Sequence, residues 1–218
     1  AKYPLELDYA IGMSQACFDL AELTHANGQA KEAIAWYTRA LDSFNPRKLK
    51  TLDSSQIQAN RLNALWRRAV VLTELKRHAE ALEDWSQTVK IAPAANRPFF
   101  QTQRAAALAR NGNHVDATRE AEALAATLKN GNAWFRFAGV FSLAIRAARS
   151  DKTRPEEDRK KLAEQYAVRG MQLLTLAADA EFFKAPANLA RLKADPDYQE
   201  LPDRPDFQKL LKAVESHE

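Results

Sequence analysis

The stretch that decides the fold runs Gly28-Gln29-Ala30-Lys31-Glu32-Ala33-Ile34-Ala35-Trp36-Tyr37-Thr38-Arg39-Ala40-Leu41-Asp42-Ser43-Phe44-Asn45-Pro46. A glycine ends one helix and a proline closes the next. Between them a small residue (Ala33), an aromatic (Tyr37) and a second small residue (Ala40) recur at helical spacing. Such a unit buries one stripe against the helix before it, so the rest of the chain is read by asking where it returns.

The helix before it is expected from about Asp8 to Asn27. Tyr3-Pro4 disfavours helix upstream, and Ala10, Met13, Cys17, Leu20, Ala21 and Leu23 make the apolar face. Asn45-Pro46 breaks the chain, and Thr51, Asp53, Ser54 and Ser55 offer caps for a long helix beginning near Ser55. Its core is expected at Ala59, Leu62, Leu65, Ala69 and Leu72. The opening unit then returns from about Ala79: Ala81, Trp85 and Thr88 copy Ala33, Tyr37 and Ala40, and Ala92-Pro93 closes it. Lys76 stands where Gly28 stood. A third pair starts at Arg97-Pro98 and restores the glycine at Gly112, with Ala117, Ala121 and Leu124 inward. Trp134, Phe137, Ala138 and Phe141 begin a fourth. There the pattern drifts. Thr153 and Glu156 are read as a capping box around Pro155, before a long helix over about Glu156–Ala178 with Leu162, Tyr166, Ala167, Gly170, Leu173 and Leu174 inward. A short helix near Ala187–Leu192, the Asp195-Pro196 start signal and a last helix over Pro205–Val214 form the end of the chain.

These spacings resemble the tetratricopeptide repeat, with its W-x2-L-G-x2-Y first helix and A-x3-F…P second helix. The fold class expected is all-α: a right-handed TPR-type helical-hairpin solenoid with C-terminal capping helices. One domain over 1–218 is expected, with repeats near 8–46, 55–93, 97–130 and 131–178 and a cap over 184–216 that hides the last apolar face. Two further stretches resemble the C-terminal repeat tails of large bacterial (planctomycete-type) serine/threonine kinases. They are Leu192-Lys193-Ala194-Asp195-Pro196-Asp197 with Pro202–Leu211, and Ala107–His114 with Glu120–Leu124. The resemblance runs from about Leu62 onward and implies a non-catalytic tail. None of the kinase motifs themselves is present.

Composition agrees with helices: 218 residues with only 6 glycines and abundant alanine. Thirty-two basic and 28 acidic residues are interleaved, without the clustered basic face of a nucleic-acid binder, so no nucleic-acid partner is expected. The single Cys17 excludes an internal disulfide and falls on an apolar stripe, where it reads as a small buried hydrophobe. No run approaches the roughly 18 apolar residues that span a bilayer, and no signal-peptide pattern opens the chain. Contact with a membrane is therefore not expected, and the compartment expected is the cytoplasm, with an extracytoplasmic tail of a membrane-anchored kinase as the alternative. His25, His78, His114 and His217 lie far apart, and the turn histidines read as solvated. No Cys/His cluster has metal spacing, and carboxylate pairs such as Glu120/Glu122 and Glu156-Glu157 read as helix surface. No catalytic residue, metal or cofactor is expected.

Binding is the expected function. First helices of such hairpins line a concave groove, and their outward positions are free to recognise a ligand. Alignment to the repeat gives Gln15, Phe18, Asp19 and Glu22 in the first hairpin. Asn63, Trp66, Arg67, Val70 and Glu74 follow in the second, Phe99, Gln103 and Arg110 in the third, and Asn132, Phe135 and Arg136 in the fourth. Phe18, Phe99 and Phe135 either face the groove or pack between neighbouring helices. One subfamily of these repeats clamps acidic chaperone tails, but Phe18, Glu22 and Phe99 stand where that clamp needs polar or basic groups. The expected partner is a protein or an extended or helical peptide with some acidic residues. A self-association module, pairing two copies or docking an upstream domain, is the alternative. Arg68 and Arg104 occupy positions usually given to leucine. Either they pair with acidic residues of an adjacent helix or they reach solvent along their stems.

Overall fold

The computed structural model describes residues 4–44 and 55–216, with side chains from Leu7 onward. Among the described residues there are ten α-helices and no strand. They are α1 (Pro4–Ala26), α2 (Ala30–Asp42), α3 (Ser55–Glu74), α4 (His78–Ile91), α5 (Arg97–Arg110), α6 (His114–Thr127), α7 (Gly131–Ser150), α8 (Glu156–Asp179), α9 (Pro186–Ala194) and α10 (Pro205–Glu215). Two single 3-10 turns, Phe182–Lys184 and Pro196–Tyr198, flank α9. The all-α expectation holds, and helices adjacent in sequence pack as pairs. The chain forms two compact units, Ala1–Phe100 and Gln101–Glu218.

Helix α1 begins at Pro4, earlier than expected, because proline at the first helical position lacks only a donor that has no partner there anyway. The expected caps Thr51, Asp53 and Ser54, and His217, lie outside the described residues.

One turn recurs three times. After α1, Gly28 takes φ +79°, its N–H bonds to the His25 carbonyl (2.9 Å), and the Gln29 N–H reaches back to the Thr24 carbonyl (3.0 Å). After α3, Lys76 takes φ +58°, with Lys76 N–H to Thr73 (3.0 Å) and Arg77 N–H to Leu72 (2.8 Å). After α5, Gly112 takes φ +89°, with its N–H to Ala109 (3.1 Å) and Asn113 N–H to Leu108 (2.9 Å). This is the Schellman closure, which needs one left-handed residue and satisfies two terminal carbonyls. In each case the alanine five positions on (Ala33, Ala81, Ala117) is buried. The second hairpin has therefore kept the turn geometry without the residue that suits it.

In unit 1, α2 lays Ala33, Tyr37 and Ala40 against Ala21, Cys17 and Ala64, with Val71 of α3 beside Tyr37. Ala81, Trp85 and Thr88 of α4 are buried as the repeat spacing predicts. Small residues against aromatics let these helices approach closely. Two stripes differ from expectation. On α1, Met13, Leu20 and Leu23 are exposed, and the buried face is Ala10, Ser14, Cys17, Ala21 and Thr24. On α3, Ala59 is exposed and Leu62 half-buried, while Ile57, Asn60 and Ala64 fill the interior. Both helices carry apolar residues at helical spacing on more than one face, and spacing alone does not select between them.

In unit 2, α7 and α8 form the centre. Phe137, Phe141 and Ile145 of α7 meet Leu173 and Leu174 of α8 in a core that extends to Ala117 and Ala121 of α6. Gly131 starts α7 where the chain returns closely: a Cβ there would lie 2.6 Å from the Phe182 Cβ. The expected capping box before α8 does not form. Pro155 is the N-cap residue, and Thr153 instead bonds to Asp151 through its N–H (3.1 Å) and its hydroxyl (2.5 Å).

Arg68 and Arg104 take the paired alternative. Arg68 donates to both oxygens of Asp84 (2.8 and 2.7 Å) and to the Thr38 hydroxyl (2.9 Å). Arg104 donates to both oxygens of Glu120 (3.1 and 2.8 Å). The Asp84 side chain is 2 % exposed. Burial pushes its carboxyl up against the pull of Arg68. Burial also opposes the Arg68 charge, but the hydrogen bonds and charge of Asp84 outweigh it and raise that guanidinium.

Two measurements check this account. Lys76→Gly relieves the left-handed strain of a side-chain-bearing residue and is expected to stabilise the chain by about 1 kcal/mol, whereas Gly112→Ala costs about 1–2 kcal/mol, both by urea denaturation. Asp84→Ala strands a half-buried guanidinium and is expected to cost about 3 kcal/mol, with Asp84→Glu recovering part of the loss.

Candidate functional site

Unit 1 brings most of the expected groove residues of its first two hairpins onto one surface of α1 and α3. The Tyr37 hydroxyl, reaching up from α2, donates to Glu22 of α1. Burial, then the Glu22 hydrogen bond and charge, push the Tyr37 phenol well above its ordinary value, so it stays a neutral donor. The other Glu22 oxygen pairs with Arg67 of α3 at 3.3 Å. The Arg67 guanidinium lies over the Trp66 ring, 4.2 Å from its centroid, a cation–π contact. The Trp66 indole N–H donates to Asn63 (3.4 Å). One turn on, His25 and Glu74 meet at 2.8 Å. Phe18 is half-buried with its ring edge-on to Tyr37, centroids 5.8 Å apart. Phe18 thus packs between neighbouring helices while part of its side chain stays exposed. Val70 of α3 is half-buried. Asp19 is exposed and accepts from Gln15 (2.9 Å). Phe99 is exposed at the start of α5 and sits edge-on to Phe100 (5.1 Å), whose ring is 6.5 Å from Trp85.

Unit 2 treats its expected groove residues differently. Asn132 is exposed in the first turn of α7. Phe135 is 1 % exposed, so the groove-lining alternative fails for it. Its ring is enclosed by Phe182 (5.3 Å), Phe183 (6.0 Å) and Tyr198 (5.1 Å), with the Arg191 guanidinium over its face at 5.0 Å. The Tyr198 hydroxyl donates to the Phe135 carbonyl. Arg110 is committed to Asp197, with one nitrogen 2.5 and 2.7 Å from the two carboxylate oxygens. Burial pushes the Asp197 carboxyl up while Arg110 pulls it back. Arg136 is half-buried, and burial followed by the charge of Arg191 lowers its pKa. Gln103 and Arg136 border a cavity of about 290 Å³ closed by Arg191, Asp195 and Tyr198. The segment Phe182–Tyr198 thus lies on the face of α5 and α7 that alignment assigned to a ligand.

Sequence reading missed four features. A larger cavity of about 750 Å³ lies between α8 and α10, lined by Val168, Met171, Phe183, Leu210 and Val214. Its advance signal was Val168, an apolar residue off the expected inward stripe of α8. His25 was read as solvated but is held by Glu74. His114 was also read as solvated, and it is 2 % exposed because Tyr166 (3.1 Å) and Asp151 (3.2 Å) close over it from α8 and the loop after α7. Glu120, read as a surface carboxylate, is half-buried and held by Arg104, whereas Glu122 is exposed as read and pairs with Arg169.

Among the described residues, no group of three or more His, Cys, Asp or Glu side chains is placed to hold a metal ion. No helix there is long and apolar enough to cross a membrane. A scan of protein-family models and a search of curated proteins find no match to this chain.

The Asp151 site has a pH signature. Hydrogen bonds from Thr153, then from His114, hold its carboxyl down to about 2. The folded chain therefore keeps this carboxylate charged where the unfolded chain protonates it. The stability it contributes is present above the ordinary aspartate value and is lost as pH falls toward 2. The melting temperature of wild type is expected to exceed that of Asp151→Asn between about pH 5 and 7, with the gap closing from about pH 4 down to 2.

Proposed function

We propose that this chain is a non-catalytic scaffold that binds a protein or peptide, built as a right-handed TPR-type solenoid with C-terminal capping helices. The binding surface is the α1–α3 face of unit 1. The observation that carries the reading is the Trp66–Arg67–Glu22 cluster. An indole, a guanidinium and a carboxylate stand together, partly exposed, on the first helices of two successive hairpins. Trp and Arg are enriched among residues that dominate binding energy. The threefold recurrence of one hairpin closure supports the solenoid reading. The non-catalytic reading is supported by the partners of the buried ionisable groups, since Asp84, Asp197 and His114 are all engaged in structural contacts.

The ligand chemistry follows from the same cluster. A partner that competes with Glu22 for Arg67 needs a carboxylate, and one that covers Trp66 needs an apolar side chain within a turn of it. An extended or helical peptide with mixed acidic and apolar residues meets both needs. The resemblance of Leu192–Asp197 with Pro202–Leu211, and of Ala107–His114 with Glu120–Leu124, to kinase tails extends the proposal to a regulatory or targeting role beside a bacterial signalling kinase in the cytoplasm, which the complete gene sequence would test.

Peptides selected from a random library on the wild-type chain are expected to lose at least about tenfold in affinity with Trp66→Ala, and more with Arg67→Ala added, at unchanged helical circular dichroism. Binding that survives the double change intact would remove the α1–α3 face as the site.

A further inference from the structure

Helix α1 carries a second apolar stripe, on the side away from its core: Tyr9, Met13, Ala16, Leu20 and Leu23. The steps are four, three, four and three residues, the alternation that keeps side chains in line along the seam between two supercoiled helices. Tyr9 is 69 % exposed, Leu23 61 %, and Met13 and Leu20 41 % each. Four of the eight large apolar side chains that stand exposed among the described residues are therefore on this one stripe. Spacing of this kind fits a helix as the covering element, in preference to a loop or a strand.

The stripe is close to symmetric about Ala16. Tyr9 and Leu23 lie seven residues to either side, and Met13 and Leu20 lie three before and four after. A two-fold contact places one patch against the same patch of a second copy, so it favours a surface that reads alike from both ends. With Ala16 on the axis of an antiparallel pair, Tyr9 meets Leu23 of the second copy, Met13 meets Leu20, and alanine meets alanine at the centre. Ala16 at the middle of the stripe is small, while Tyr9 and Leu23 stand at its ends. Charge selects the same orientation. From Pro4 to Thr24 the helix has no lysine or arginine, and Asp8 and Asp19 border the stripe. A parallel pair would set each aspartate beside its own copy, whereas the antiparallel pair sets them opposite Thr24 and Met13.

We infer that the outer face of α1 is a self-association surface at which two copies of this chain pair antiparallel about Ala16. The surface leaves the α3-facing side of α1 free.

Sedimentation equilibrium of the 218-residue chain is expected to show a monomer–dimer equilibrium. Leu20→Glu with Leu23→Glu is expected to weaken it at least about a hundredfold, because four leucines leave the contact and four carboxylates enter it. The helical circular dichroism and melting temperature of the monomer should not move, since both residues are exposed. Orientation is read by crosslinking. Under mild oxidation Ala16→Cys is expected to give a disulfide-linked dimer. Leu23→Cys is not, because its two copies stand about 21 Å apart in the antiparallel pair, far beyond disulfide reach. Wild type, whose Cys17 is buried, is the control. A chain that stays monomeric at about 0.5 mM overturns the inference. Crosslinking through Leu23→Cys in place of Ala16→Cys overturns the antiparallel two-fold.

Discussion

The left-handed residue that closes the first helix of a hairpin fixes what the two helices can place against each other. Once the turn has one length, positions equally distant from it face one another. Eight residues before and after Lys76 stand Arg68 and Asp84, and eight before and after Gly112 stand Arg104 and Glu120. Both pairs make two-pronged ion pairs between the helices of their own hairpin. Around Gly28 the same two places hold Leu20 and Trp36, and no ion pair is made. The repeated turn thus explains the arginines at leucine positions. Each has a carboxylate delivered to it by geometry, which is the condition under which a half-buried charge is tolerated.

The hairpins were legible because their signals are local. Ala33, Tyr37 and Ala40, then Ala81, Trp85 and Thr88, then Ala117, Ala121 and Leu124 are all buried where the spacing put them. Even Lys76, which breaks the pattern in letters, keeps it in backbone angle. Contacts that the chain makes with distant parts of itself were not legible. Phe135 could be read either as a groove residue or as packing, and Phe182, Phe183 and Tyr198 arrive from far along the chain to cover it. Arg110 is claimed by Asp197 in the same way, 87 residues on. His114 opens α6 just after the Gly112 turn, where histidine is usually wet, and is dry because Tyr166 and Asp151 converge on it. Periodicity says which side of a helix is apolar, not which later segment will come to it.

Those distant contacts divide the site residues by unit. On α5 and α7, the chain's own Phe182–Tyr198 segment supplies the aromatic and acidic groups that an outside ligand would bring: Tyr198 and Phe183 against Phe135, and Asp197 against Arg110. A ligand there would have to displace an engaged carboxylate and a buried tyrosine. On α1 and α3 the polar groups are paired with one another across a half-exposed surface. Exposed pairs of that kind are individually weak, so exchanging one for a contact with a partner is inexpensive. The difference in exposure between Arg110 and Arg67 side chains, 18 % against 42 %, follows this division.

Helix α1 is where the two proposals meet. Its near-uniform apolarity defeats a reading by amphipathic spacing, because three faces do three things. Ala10, Ser14, Cys17, Ala21 and Thr24 are small and buried. Phe18, Glu22 and His25 reach α2 and α3 through Tyr37, Arg67 and Glu74. Tyr9, Met13, Leu20 and Leu23 stand outward. At about 100° per residue, the outward stripe and the Phe18–Glu22–His25 face lie on opposite sides of the helix. A second copy seated on one face therefore leaves the other open, and a dimer built on α1 would present two peptide-binding faces. Two such faces raise the effective affinity for a partner that carries two copies of its recognition segment, without any new contact, provided its linker spans them.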